Sequence, residues 1–255
     1  MRNLEPAFRV KLARSTDEVR AAQALRYRVF VEELGGGGPM VDHDNRLETD
    51  RFDRFFDHLL LLDDNRNGAV VGVYRLLRDD QAKKAGQYYS EEEYDLGPLR
   101  SSGRRLMELG RSCVDAEYRG GAAMYYLWNA LACYVADHGI EILFGVASFH
   151  GTDPAPLAHP LSLLYHRHLA PNDLRVRARS DHYQRLDLVP YDNLDRRSAM
   201  LQVPALIKAY LRLGGYVGDG AYVDHAFNTT DVCLIMDTKR LSEKQKNIYS
   251  KVVVA

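Results

Sequence analysis

The chain has 255 residues, 46% of them hydrophobic and 27% charged, with a formal net charge of −1. Those proportions describe a globular chain with enough apolar material for a sizeable core, and the near-zero charge excludes a global field that would recruit nucleic acid. Three widely spaced cysteines (Cys113, Cys133, Cys233) exclude a disulfide framework and a zinc site, and point to a reducing compartment.

In chain order, MRNLEPAFRVKLA lacks a signal-peptide core, and FRVKLA (8–13) alternates like a strand. STDE (15–18) offers a capping box with Ser15 or Thr16 as N-cap, and helical periodicity then runs to Leu34. Four glycines and Pro39 end that helix, and an aspartate-rich loop extends to about residue 57. DHLLLLDD and AVVGVYRLLRDD read as two strands joined by NRNG, a hairpin signal. Residues 81–103 read as irregular and polar, RRLMELGRSCV as a strand, 120–138 as a helix and IEILFGVASF (140–149) as a buried strand. LRVRARS (174–180) then predicts a strand, LIKAYLRLGG (206–215) a helix and DVCLIMDTK (231–239) a strand. No run reaches the roughly 20 apolar residues of a membrane span; LLLL at 59–62 falls far short. The expectation is a single α/β (α+β) domain over 1–255, with a core at 1–150 and a C-terminal extension, 151–255, packed on it.

Several constellations carry chemistry. Within MELGRSCVDAEYRGG (107–121), Glu108 and Arg111 would point to opposite faces of a flat strand; a bulge at Gly110 would bring them to one face and splay the strand from its neighbour. Arg119, Gly120 and Gly121 open the following helix, where free N–H groups and a guanidinium suit a phosphate. Asp50, Asp53 and Asp57 fall at i, i+3 and i+7, a spacing that gathers carboxylates for an ammonium-bearing substrate or makes a solvated acidic face; Asp57 is also placed to orient His58. A looser basic set, from Arg75 and Arg78 through Lys83, Lys84, Arg104 and Arg105 to Arg111 and Arg119, would receive an acidic partner if gathered on one rim. Other matches fail: HYQRLD (182–187) fits H-x4-D without its surroundings, the HRH at 166–168 has no cysteine or carboxylate at ligand spacing, and no G-x-S-x-G elbow occurs.

LRYRVFVEEL (25–34), the D-x-x-D at 50–53, VGVYRLL (71–77) and MELGRSCVDAEYRG (107–120) together resemble the acyl-carrier-protein-dependent N-acyltransferases of the GCN5-related superfamily. FDHLLLLD, GVASFHGTDP (145–154), YLRLGG (210–215) and FNTTDV (227–232) look like the bacterial L-ornithine N-alpha-acyltransferases of ornithine-lipid synthesis in particular. Acyl-homoserine lactone synthases generally carry a tryptophan after the first helix, whereas the single tryptophan here is Trp128.

The resemblance implies a mixed, mostly antiparallel sheet with a splayed, bulged strand and flanking helices. It marks Arg26, Phe30, Asp50, Asp53, Arg75, Glu108 and Arg111 as site residues. It implies transfer of a 3-hydroxyacyl group from acyl carrier protein to the α-amine of ornithine, giving lyso-ornithine lipid, with the carrier's phosphopantetheine thioester as donor and no bound cofactor or metal. Glu108 is the first choice for general base, with Asp50 and Asp53 holding the amine or serving as base. Arg26 or Arg75 would bind the acceptor carboxylate, and Arg119 the carrier's phosphate. The helix start reads RGGAAMYY, with Ala122 and Met124 where a coenzyme A-binding pattern has further glycines, which suits a single phosphate. Glutamine or lysine as acceptor, lactone synthesis and a non-catalytic binding protein are the alternatives. The expected location is the cytoplasm, with VPALIKAYLRL (203–213) either resting on the inner membrane or packing its apolar side inward.

Overall fold

The computed structural model describes residues 5–241; the first four residues of the N-terminal stretch and the last fourteen of the expected extension lie outside the described residues. Strands and helices follow as β1 (Phe8–Leu12), α1 (Thr16–Arg26), β2 (Asp57–Asp63), β3 (Ala69–Arg78), α2 (Asp79–Ala85), β4 (Tyr94–Asp95), α3 (Gly97–Ser101), β5 (Leu106–Val114) and α4 (Ala123–His138). They continue with β6 (Ile142–His150), α5 (Ala158–His168), β7 (Arg177–Ala178), β8 (Tyr183–Gln184), α6 (Arg196–Gln202), α7 (Ala205–Arg212), β9 (Tyr216–Val217), β10 (Ala221–Asp224) and β11 (Thr229–Asp237).

The chain divides into two compact units, crossing between them after Ala85, within β5 after Glu108, and after Gly139. The first holds residues up to Ala85 and Leu109–Gly139; the second holds Gly86–Glu108 and Ile140–Leu241. In the first unit β1, β2 and β3 form an antiparallel meander with β5 beside β3. Asn67 (φ 56°) and Gly68 (φ 70°) make the tight β2–β3 connection that NRNG predicts, each in the left-handed region. The core here packs Ala22, Leu25 and Val29 against Leu60, Leu62, Val73 and Cys113. Ser15 caps α1, its Oγ accepting from the Glu18 N–H at 3.3 Å. The single helix expected to Leu34 changes winding at Arg26: Tyr27–Glu33 is a π-helix, ending before Gly35 at φ 71°.

In the second unit β6 pairs with β11 antiparallel over nine residues, Ile142–His150, and β11 pairs in turn with β10 and β9. A strand from the segment expected as an extension is therefore the centre of this sheet. LRVRARS gives only the two residues of β7, and 81–103 is not irregular but carries most of α2, a 3-10 turn at Tyr89–Glu92, β4 and α3. β5 and β6 run parallel through the crossover helix α4, and they pair only over Leu106–Glu108. The splayed strand expected from the sequence is this early end of pairing. Among the described residues no helix is long and apolar enough to cross a membrane.

Candidate active site

The first unit buries a six-membered ion network. Arg26 leaves the last turn of α1 with no exposure and donates from Nε to Glu48 Oε2 at 2.5 Å, and from Nη1 and Nη2 to the two carboxylate oxygens of Asp53 at 2.7 and 3.0 Å. Arg75, equally buried on β3, donates from Nη1 to Asp53 Oδ1 at 2.7 Å and to Asp50 Oδ2 at 2.6 Å, and its guanidinium lies over the Phe56 ring at 4.3 Å. Arg111 on β5 reaches Glu48 Oε1 at 3.1 Å and Asp50 Oδ2 at 3.7 Å. Three guanidiniums thus face three carboxylates, which is the condition under which charge survives in a dry interior.

The electrostatics follow from that arrangement. Burial alone would raise the Glu48 carboxyl, but Arg111, Arg26 and Arg75 overcome it and hold it at about 2. Asp53 is likewise opposed by burial and held far below the carboxylate range by Arg26 and Arg75. Gln23 Nε2 also donates to Asp53, at 2.8 Å. A carboxylate so committed takes no proton near neutrality. His58, on β2 and 2% exposed, gives Asp53 a further anchor: its Nε2 lies 2.9 Å from the Asp53 carbonyl oxygen. Burial first, with Arg26 and Arg75 adding to it, lowers His58 and keeps the ring neutral, so Nε2–H is the donor.

Asp50 alone of the three carboxylates keeps appreciable exposure, 15% of its side chain, while Phe52 N–H donates to its Oδ1 at 2.9 Å. Asp57 does not join this group or orient His58; it starts β2 and accepts from Arg78 Nη1 at 2.6 Å and the Tyr134 hydroxyl at 2.5 Å. The i, i+3, i+7 spacing assumed one helical face, but the chain enters β2 at Asp57 and the periodicity changes there. Phe30 packs on the apolar cluster of α1 and β2.

Where the sequence predicts a bulge at Gly110, the left-handed residue of β5 is its neighbour Arg111. Arg111 has φ 50°, a left-handed conformation that costs a non-glycine residue energy and recurs at functional sites. Gly110 lies along Arg75, and a Cβ there would meet Arg75 Nη2 at an ordinary 3.9 Å.

Glu108 belongs to the second unit, buried to 1% exposure, and its carboxylate is held by the 3-10 turn: Tyr89 N–H donates to Oε2 at 2.8 Å, and Ser90 N–H at 2.6 Å and the Ser90 hydroxyl to Oε1. Arg119 pairs with Glu33 in a half-exposed bidentate contact and donates from Nε to the Val114 carbonyl at 2.9 Å. Gly120 makes a left-handed turn at φ 76°, and exposed Gly121 and Ala122 lead into α4, where no side chain caps the N-terminus. The basic residues do not share one rim: Arg75 is fully buried, Arg78 is held by Asp57, and Arg104 by Asp237.

Sequence reasoning missed Glu48, Gln23, His58 as an anchor, and the Tyr89–Ser90 cradle. Glu48 lies 22 residues from Arg26 and 63 from Arg111, so no local spacing marks it. The rejected patterns stay apart: His182 Nδ1 lies 3.0 Å from the Val223 carbonyl oxygen while Asp187 holds Arg185, and His166 Nε2 meets the Val189 carbonyl. Among the described residues one all-carboxylate group, Glu93, Asp224 and Asp231, has oxygens within 4.8 Å of one another.

Residues 25–129 match the Acetyltransferase (GNAT) domain. The chain superposes on the AHL synthase LasI with a TM-score of 0.52 at 16% identity, covering 98% of both chains, and on the CoA-dependent acyl-homoserine lactone synthase MesI with a TM-score of 0.51 at 12% identity, covering 97% of both. These likenesses give the fold. Sequence relatives are far nearer. One from Rhodobacter capsulatus, an L-ornithine N(alpha)-acyltransferase, is 60% identical over 97% of this chain and 96% of its own length. Another of the same name, from Brucella abortus, is 43% identical over 95% and 89%. With a GNAT-type sheet splayed beyond Glu108 and this degree of identity over nearly its whole length, the chain is an acyltransferase and belongs to the L-ornithine N(alpha)-acyltransferase family.

Proposed function

We propose that this acyltransferase moves a 3-hydroxyacyl group from the phosphopantetheine thioester of acyl carrier protein to the α-amine of L-ornithine, giving lyso-ornithine lipid. The observation that carries the acceptor is the name shared by relatives 41–60% identical over at least 94% of the chain. In this reading the neutral amine attacks the thioester carbonyl, the C–N bond forms, the C–S bond breaks, and the amine proton passes through the base to the departing thiolate. Glu108 takes that proton through a water. Backbone N–H groups of the part of β5 beyond its pairing with β6 meet the oxyanion. Asp50, the most exposed carboxylate of the network, receives the acceptor's ammonium; Asp53 positions Arg26 and Arg75 and moves no proton. Arg111 and Arg75 support Asp50 from behind. Transfer in this reading is direct, and burial, which pushes the Cys113 thiol up to about 12 and the Cys233 thiol higher, keeps both buried thiols from acting as thiolate nucleophiles.

Arg119 with Gly120 and Gly121 is the proposed contact for the carrier's phosphate, exchanging the exposed Glu33 carboxylate for it. The same reading implies a cytoplasmic enzyme that meets a membrane at its surface, where an acylated amino acid would partition. The test is incubation of purified protein with 3-hydroxyacyl carrier protein or acyl-CoA and single amino acids, with products read by mass spectrometry. N-acylated ornithine, formed faster from the carrier protein, is expected. Preference for lysine or glutamine would overturn the acceptor, equal rates with acyl-CoA the donor, and a lactone from S-adenosylmethionine the whole reading.

A further inference from the structure

The second unit presents a group of cations that make no ion pair among the described residues. Tyr191, 42% exposed, receives hydrogen bonds at its hydroxyl from Arg167 Nη1 at 3.4 Å and Arg196 Nη1 at 3.3 Å. Arg197 follows, and Leu201, one helical turn on in α6, is 73% exposed, the most exposed large apolar side chain among the described residues. Lys208 Nζ reaches the Leu201 carbonyl at 3.2 Å, which brings its charge to the same place. None of Arg167, Arg196, Arg197 and Lys208 makes an ion pair among the described residues. Elsewhere in the same unit Arg104, Arg177, Arg185 and Arg240 do, while Arg175 and Arg179 donate to backbone carbonyls. Asp195, the nearest acid in sequence, is occupied in capping α6.

Leu201 is not spare core. Its neighbours Ala199 and Met200 pack inward with Leu163 and Leu194, and α7 turns Ile207, Tyr210 and Leu211 to the interior. The membrane-facing role considered for the apolar side of α7 is thereby excluded, and the exposed apolar group is on α6 instead. A single presented leucine among cations is too little apolar surface for the core of a protein–protein interface, which needs roughly 800 Å² per partner. It suits a bilayer interface, where guanidiniums meet headgroup phosphates while leucine and a tyrosine ring enter the acyl boundary.

We propose that Tyr191, Arg196, Arg197, Leu201 and Lys208, with Arg167, form a docking surface for an anionic phospholipid bilayer. This goes beyond the proposed reaction, which it would serve by releasing an amphiphilic product at the membrane but on which its test does not depend. The test is co-sedimentation with phosphatidylcholine vesicles, with and without phosphatidylglycerol, at low and high salt. Binding to the anionic vesicles alone, weakened by salt, is expected. R196E/R197E weakens it about thirtyfold or more, since each cation near such a surface contributes on the order of fivefold; L201Q weakens it about tenfold. Both retain wild-type turnover with soluble donor and acceptor. Equal binding to the two vesicle types overturns the proposal, as does wild-type binding by the variants. So does a raised KM for the carrier-protein donor in R196E/R197E with vesicle binding intact, which would assign the surface to an acidic protein. Circular dichroism checks each variant's folding, and if R196E/R197E fails it, L201Q decides alone.

Discussion

Asp53 bridges two buried guanidiniums, each of which has one further carboxylate in the network, Glu48 for Arg26 and Asp50 for Arg75. Replacing it with asparagine leaves Arg26 and Arg75 facing a neutral group in a dry interior, where breaking a buried pair typically costs about 3–5 kcal/mol. Urea unfolding of Asp53→Asn is expected to show a loss in that range; a loss below about 1 kcal/mol would mean that the network is wetter than its burial indicates. The pH dependence has a definite sign. Glu48 falls from an ordinary 4.5 to about 2 on folding, so its contribution is complete above 4.5 and disappears as pH drops from there through about 2. The urea midpoint should therefore decline across that window, and Glu48→Gln should flatten part of the decline while lowering stability at neutral pH. Glu108 is a different kind of residue, since the Tyr89 and Ser90 amides and the Ser90 hydroxyl hold its carboxylate. Glu108→Gln is expected to cut turnover about a hundredfold or more with donor binding changed little. An equal fall in donor binding would show that the turn at Tyr89–Ser90, not proton transfer, is what the carboxylate supports. Of the buried ion network the sequence marked Arg26, Asp50, Asp53, Arg75 and Arg111 through the motifs around them. It could not show Glu48, whose partners are set by the fold rather than by neighbours in the chain.

At the scale of elements, two local departures shape the first unit: the π-helix at Tyr27–Glu33 and the left-handed Arg111 in β5. Neither leaves a composition signal. The glycine that suggested a bulge is adjacent to the strained residue but is not itself at positive φ, because Arg111 must turn its side chain toward Glu48 and Asp50. A pair of variants separates backbone from charge. Arg111→Ala and Arg111→Gly both remove the guanidinium, but only alanine keeps the left-handed penalty, so the glycine variant should be the more stable by about 1 kcal/mol in urea unfolding. Equal stabilities would mean that β5 relaxes when the side chain is lost. The packing of α4 on β3 is tighter still. A Cβ at Gly72 would lie 3.0 Å from Leu127 Cδ1 and 3.2 Å from Leu61 Cβ, so Gly72→Ala is expected to cost about 1–3 kcal/mol in thermal or urea unfolding; a neutral result would show that α4 shifts freely.

Across the whole chain, β1, β2, β3, β5 and β6 with α1 and α4 could be read from periodicity, because each of those strands lies beside a strand near it in sequence or is linked through one helix, whereas the short α2, β4 and α3 between β3 and β5 could not. The second unit could not be read so, since β11 pairs with β6 across some eighty residues of chain and alternation cannot name a distant partner. A boundary drawn at residue 150 therefore separates two strands that share nine paired residues. The consequence can be measured. Ile235, fully buried in β11 and opposite Phe144, should on replacement by alanine cost the second unit about 2–4 kcal/mol. Hydrogen exchange should then quicken at the β6 amides as much as at those of β11, because a pair of central strands opens together. If β6 kept its protection while β11 lost its own, β11 would be an appended layer over a sheet that stands without it. The nine-residue register makes the opposite expectation: segment 151–255 supplies a central strand of the sheet in which Glu108 begins.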